Sequence, residues 1–120
     1  MSSRIVATVF DCRDVEAQTR FWCATLGYDI QRRWTDAHGV EYVEAGTDGA
    51  SPLLFHPVSE LKRAKNRVHL DVRPSGAQYD EVARLVALGA RVIEDDPAQD
   101  WVVLQDPEGN EFCVLAAESG

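Results

Sequence analysis

Val6-Ala7-Thr8-Val9-Phe10-Asp11 and Val68-His69-Leu70-Asp71-Val72-Arg73 are two short runs of alternating, largely apolar residues. Each leads into a helix-like stretch that ends on a Leu-Gly pair, Leu26-Gly27 in the first case and Leu88-Gly89 in the second. Gly27 and Gly89 lie 62 positions apart, and the same shift carries Ala7 onto His69. A repeat of half the chain length means two copies of one supersecondary unit, and function then tends to sit where such copies combine their surfaces.

Working outward from these runs gives the same element order twice. Ile5 to Asp11 reads as a strand, closed by the turn-forming Asp11-Cys12-Arg13-Asp14. Asp14 is placed to cap a helix from Val15 to Thr25, with Glu16 favouring its positive end and Gly27 stopping it. Strands follow at Tyr28 to Trp34, Val40 to Glu44 and Pro52 to Val58. The second half repeats the pattern with a strand from Arg67 to Arg73 and a helix from Gln78 to Leu88. Strands at Ala90 to Glu94, Trp101 to Gln105 and Glu111 to Ala116 complete it. Asp106-Pro107-Glu108-Gly109-Asn110 is the strongest turn signal and predicts a hairpin between the last two. The order is βαβββ-βαβββ.

Composition bounds the function. At 120 residues one domain is expected, burying roughly two-thirds of the surface of its unfolded chain. A net charge of −8 argues against nucleic acid, whose phosphates are bound by clustered Lys and Arg. The basic run Lys62-Arg63-Ala64-Lys65-Asn66-Arg67 falls between the repeats and reads as a solvated linker. No apolar run approaches the ~20 residues of a bilayer span, and no signal-peptide pattern is seen. Cys12, Cys23 and Cys113 are odd in number and lack CxxC spacing, which points to free thiols and a cytoplasmic setting.

Strand alternation puts Val68, Leu70 and Val72, with Val6, Thr8 and Phe10, on the side under the helices. His69, Asp71 and Arg73 then share the opposite face, which is too polar for a second core.

Phe21-Trp22 with Leu26-Gly27, Asn66-Arg67-Val68-His69-Leu70-Asp71, Leu88-Gly89-Ala90 and Asp106-Pro107-Glu108-Gly109-Asn110-Glu111-Phe112 together resemble the vicinal oxygen chelate superfamily. The likeness is to its glyoxalase-like branch, which includes bleomycin-resistance proteins, and it runs from about Ile5 to Ala116. It implies the α+β fold shared by glyoxalase, bleomycin resistance protein and dihydroxybiphenyl dioxygenase. Residues 1–120 would form one domain of two tandem βαβββ modules, about 4–60 and 66–117, whose curved sheets enclose a cleft.

The resemblance also implies a metal site in enzymatic members, with ligands from the first and last strands of each module. Carried over singly, the first-module slot falls on Ala7, which cannot bind metal, and its counterpart falls on His69, which can. The last-strand slot of the second module falls on Cys113 where enzymes carry Glu, and the first module offers Leu53 or Phe55. His69 is the one retained ligand and Cys113 a candidate thiolate, short of the three protein ligands a stable site needs. No cofactor is therefore expected in the usual arrangement, a divalent metal being the alternative.

His69 is the first candidate for a hydrogen-bonding or acid–base group, with Glu111 as a second catalytic candidate on the same face as Cys113. His69-x-Asp71 matches two ligands of a facial triad, for which His38, His56 or Glu111 would have to supply the third. Asp71 is expected either to orient His69 or, as the commoner fate, to pair with Arg73. His56 is expected to point away from the cleft. Trp34, Tyr42, Phe55 and Trp101 are candidates for an aromatic wall.

The reading is thus a small-molecule binding or sequestering protein, its ligand held by the aromatic residues with His69, Asp71, Glu111 and Cys113. Negative charge would favour a cationic or polyhydroxylated ligand. A metal-dependent lyase, isomerase or dioxygenase with a site rebuilt around His69 is one alternative. An interaction module with a vestigial cleft is another. Open sheet edges make a homodimer plausible.

Overall fold

The computed structural model describes residues 2–118. Its contacts divide the chain into two compact units at Leu61/Lys62, each a four-stranded mixed sheet with one helix. The first unit comprises β1 (Thr8–Cys12), α1 (Val15–Leu26), β2 (Asp29–Thr35), β3 (Glu41–Gly46) and β4 (Leu53–Pro57). The second comprises β5 (Leu70–Val72), α2 (Gln78–Ala87), β6 (Arg91–Glu94), β7 (Val102–Gln105) and β8 (Glu111–Val114). The expected βαβββ repeat is therefore present, with strand orders β1-β4-β3-β2 and β5-β8-β7-β6. Among the described residues no helix is long and apolar enough to cross a membrane.

Local chemistry explains the helix boundaries. The Asp14 carboxylate accepts from the Ala17 N–H at 3.0 Å, satisfying one of the donors a helix start leaves unpaired. α1 ends where Gly27 turns left-handed at φ 68° and its N–H reaches the Cys23 carbonyl, a conformation that costs glycine nothing. α2 has no side-chain cap of its own, Ala77 standing at that position. Its first residue ties it down instead: Gln78 Nε2 donates to the Val114 carbonyl at 3.0 Å and the Asp100 carbonyl at 2.9 Å.

In each unit the first strand pairs in parallel with the last, and the remaining pairs are antiparallel. Residues paired across a ladder project to the same side. In the first unit Phe10, Val43, Ala45, Leu53 and Phe55 face α1, where Phe10 meets Trp22 with ring centroids 5.4 Å apart. In the second, Phe112 and Val114 are buried with Val102, Leu104 and Leu85. The edge residues are less covered than alternation predicts. Val6 and Val68 lie ahead of β1 and β5 and are exposed, so only Thr8, Phe10, Leu70 and Val72 keep the inward side.

One expected face is reversed. Phe55, placed by sequence on an aromatic wall, is fully buried beneath α1, with its ring 5.6 Å from that of Phe10. His56, expected to point away, lies on the face opposite the helix, because the β1–β4 register sets it beside Asp11. Its Nδ1 is 3.1 Å from Asp11 Oδ1. Leu53-Leu54-Phe55 is apolar at every position, so alternation alone does not say which parity is inward. Phe55→Ala is expected to cost ~3–5 kcal/mol of unfolding free energy, read from urea denaturation, whereas a wall residue would leave stability nearly unchanged.

Candidate functional site

The second unit builds a site on the face of its sheet opposite α2. Two restraints set its geometry. The parallel β5–β8 register places Asp71 directly opposite Cys113, and the β7–β8 hairpin places Val103 opposite Cys113 on the other side. The hairpin is held by the buried Asp106. Its Oδ1 accepts from the N–H groups of Glu108 and Asn110, both at 2.9 Å. Gly109 turns there at φ 91°, as a tight turn of this kind requires.

His69, Asp71 and Cys113 meet on that face. His69 Nε2 lies 3.1 Å from Asp71 Oδ1, and one donor atom from each of the three residues lies within 4.8 Å of the others. Asp71 thus orients His69, whereas its expected partner Arg73 donates to the Ala116 carbonyl at 2.7 Å. Both His69 and Asp71 are half-exposed, and Cys113 is nearly covered. Burial pushes the Cys113 thiol up, and the Asp71 charge adds to this while its carboxylate accepts the S–H. Cys113 is accordingly a thiol at neutral pH and no ready nucleophile.

A pocket of about 530 Å³ opens over these groups. Ile93, Trp101, Val103 and Leu115 form its apolar wall, and Lys65, Glu94 and Glu111 supply further charge. The volume falls in the range of small-molecule sites, and an apolar wall with a few converging polar groups is their usual composition. A smaller pocket of about 340 Å³ lies in the first unit between α1 and the start of β2. Glu16, Thr19, Arg20, Cys23, Tyr28 and Asp29 are its polar lining.

Glu111 is committed elsewhere. Burial pushes its carboxyl up, but the Asn66 N–H donates to Oε1 at 2.8 Å and Lys62 Nζ to Oε2 at 2.9 Å. The net result is a fall from the ordinary 4.5 to about 2. A carboxylate held that low is a poor proton donor or acceptor at neutral pH, so the geometry favours an anchoring role over the catalytic one expected from sequence. The same contacts correct the linker: Lys62 is mostly buried, and Asn66 Nδ2 donates to Asn110 Oδ1 at 3.1 Å. The segment ahead of β5 is therefore fastened to β8.

The other sequence candidates fall in the first unit. Trp34 and Tyr42 stack at 5.4 Å and 16°, and Tyr42 stacks on His56 at 5.1 Å and 13°. Arg32 lies 4.0 Å over the Trp34 ring, a cation–π contact. Tyr42 also donates to Asp36 at 3.0 Å. These rings form one ladder across the sheet, which sequence alternation hinted at through Trp34 and Tyr42 but missed at His56. His38 is exposed in the turn after β2, its N–H on Asp36. Within the second unit, Cys113 is the third donor beside the His69–Asp71 pair.

Two four-stranded mixed sheets, each with one helix in the order βαβββ, are the architecture of the vicinal oxygen chelate fold. The glyoxalase-like domain family matches residues 7–115, and the chain belongs to that family. No curated protein matches it. Among solved structures it is similar to the trypanothione-dependent glyoxalase I of Leishmania major (TM-score 0.78, 18% identity, 96% of this chain and 87% of that one). It is similar also to a mutant of the fosfomycin resistance protein FosX from Listeria monocytogenes, complexed with Mn(II) and 1S,2S-dihydroxypropylphosphonic acid (0.77, 15%, 98% and 95%). A glyoxalase/bleomycin resistance protein/dioxygenase family enzyme from Burkholderia phytofirmans matches at 0.66 and 23% identity, over 91% and 94%. Identities this low establish the shared fold.

The Glu111 anchor makes a pH prediction. Its pKa is lower in the folded chain, so its contribution is complete above about 4.5 and fades as pH falls toward about 2. Glu111→Gln should lose on the order of 2–3 kcal/mol at neutral pH. In denaturation curves taken across that window, the gap between variant and parent should close on acidification.

Proposed function

We propose that the chain binds a small organic molecule in the second-module pocket, with Trp101 as the apolar contact and His69 and Asp71 fixing orientation. The observation that carries this reading is the convergence of His69, Asp71 and Glu94 on a cavity walled by Ile93, Trp101, Val103 and Leu115. Buried apolar area supplies affinity, and a few placed polar groups supply selectivity.

The charges favour a ligand with a positive end. Lys62 already balances Glu111, which leaves Asp71 and Glu94 against Lys65 around the cavity. Trp101 offers a ring face to an ammonium group as well as to an apolar body. An aromatic or aliphatic amine satisfies both features better than an anion does.

The enzymatic alternative, a lyase, isomerase or dioxygenase, is favoured by one feature. The His69–Asp71 pair at 3.1 Å is able to take and return a proton at the pocket. The two readings separate experimentally. A ligand recovered unchanged after long incubation supports binding alone, whereas conversion that vanishes in His69→Ala supports catalysis.

Thermal-shift screening against a panel of aromatic amines, matched neutral compounds and matched acids tests the proposal. Amines should raise Tm, and Trp101→Ala should weaken the best of them about tenfold, near 1.4 kcal/mol. A panel without shifts, or hits indifferent to both Trp101→Ala and Asp71→Asn, would remove the pocket from consideration.

A further inference from the structure

We propose that the groove between α1 and the start of β2 is a second binding site, one for a small zwitterion of the α-amino acid class with an apolar side chain. It lies in the first unit and shares no residue with the His69–Asp71 face.

The local sequence builds the groove. Glu16, Thr19, Arg20 and Cys23 stand at i, i+3, i+4 and i+7 of α1, which sets them along one side of the helix. Gly27 reverses the chain, and Tyr28, Asp29 and Ile30 return beside them. These residues line a cavity of about 340 Å³, at the small end of the range for ligand sites.

Charge decides what the groove takes. Glu16 is already neutralised: Arg33 reaches its carboxylate at 2.7 and 3.1 Å, and that contact holds the carboxyl below its usual range. Arg20 contributes least to that fall and, among the described residues, its guanidinium has no ion-pair or hydrogen-bond partner. The Asp29 carboxylate is likewise unpaired among them. Burial pushes the Cys23 thiol up and the Asp29 charge adds to it, which places that carboxylate near the sulfur. Arg20 and Cys23 are three residues apart on the helix, so an open cation and an open anion flank one stretch of the groove. A ligand with a single charge compensates one of them and leaves the other. A zwitterion meets both, its carboxylate on the guanidinium fork and its ammonium on Asp29.

The interior of the groove points to a ligand independently. Thr19 is 1% exposed, and its Oγ1 has no hydrogen-bond partner among the described residues. Thr25 of the same helix shows the usual remedy, donating to the Phe21 carbonyl at 2.8 Å. A buried hydroxyl left unpaired costs stability, and a polar atom of a bound molecule would remove that cost. Tyr28 commits its hydroxyl to the Ser51 carbonyl at 2.8 Å. Its ring and the 45% exposed Ile30 remain as the apolar wall.

Amide shifts of the isotope-labelled chain, titrated with L-leucine, test the site. Isocaproic acid is leucine without its amino group, and isoamylamine is leucine without its carboxylate. Leucine should move amides across residues 16–30 saturably, and each analogue should need about tenfold more. Arg20→Ala and Asp29→Ala should each weaken leucine about fivefold without changing the circular dichroism, and added salt should weaken it as well. Thr19→Val keeps the shape and removes the hydroxyl, so Tm should hold or rise while leucine affinity falls. A purely structural hydroxyl would lower Tm instead. Leucine should also slow the alkylation of Cys23 by iodoacetamide, read by peptide mass. No saturable shifts at residues 16–30, analogues that bind there as tightly as leucine, or affinity unchanged by Arg20→Ala and Asp29→Ala would overturn the proposal. Amine binding beside Trp101 stands or falls separately.

Discussion

The parallel pairing of a module's first strand with its last is the constraint on which the rest depends. A parallel pair cannot be closed by a tight turn, so α1 and two antiparallel strands must be threaded between β1 and β4, and their counterparts between β5 and β8. That crossover buries one face of each sheet under its helix. It also brings residues more than forty positions apart into direct register, Asp71 with Cys113 and Asp11 with His56. Neither pair is visible as a local motif, and both sit on the face the helix leaves uncovered.

The sequence was legible where the signal is local. Asp14, Gly27 and the Asp106–Asn110 turn each carry their own chemistry, and the elements begin and end within a few residues of where those signals fall. Alternation puts His69 and Asp71 on one face because it needs only the strand itself, whereas Cys113, on another strand, reaches that face only through the resemblance. Legibility failed where the answer lay in a partner. Leu53-Leu54-Phe55 is apolar on both parities, and pairing with β1 decides which side turns inward and where His56 points. Lys62 looked solvated because its partner, Glu111, is 49 residues away. Asp71 had two plausible mates at equal sequence distance, and only the fold chose between them.

Although the modules share a topology, they have diverged on that open face. The first closes its polar groups on one another: Arg32, Trp34, Tyr42 and His56 stack in series, with Asp36 and Asp11 at Tyr42 and His56. Ring faces used in such stacking stabilise the sheet and are no longer available to a ligand. The second leaves Trp101 well exposed beside a cavity and keeps its histidine and aspartate at the surface. Two units of one topology present two equivalent faces, and side-chain pairing within each face decides which of them retains an unspent surface.

Glu111 shows why a carboxylate near a pocket is not by itself a functional group. It lies two positions from Cys113 on the same strand face, and spacing treats the two alike. Their partners do not. Lys62 and the Asn66 N–H stabilise the ionised Glu111, whereas Cys113 donates to an aspartate that resists its ionisation. The anchored residue holds the segment entering β5 and thereby fixes where His69 begins. The thiol stays protonated, because burial and the neighbouring Asp71 charge both oppose its ionisation and the Asp71 carboxylate accepts its S–H. The same strand thus anchors its neighbour at Glu111 and turns a protonated thiol toward the pocket two positions on, so the partner of each side chain, and not its spacing, sets what it does.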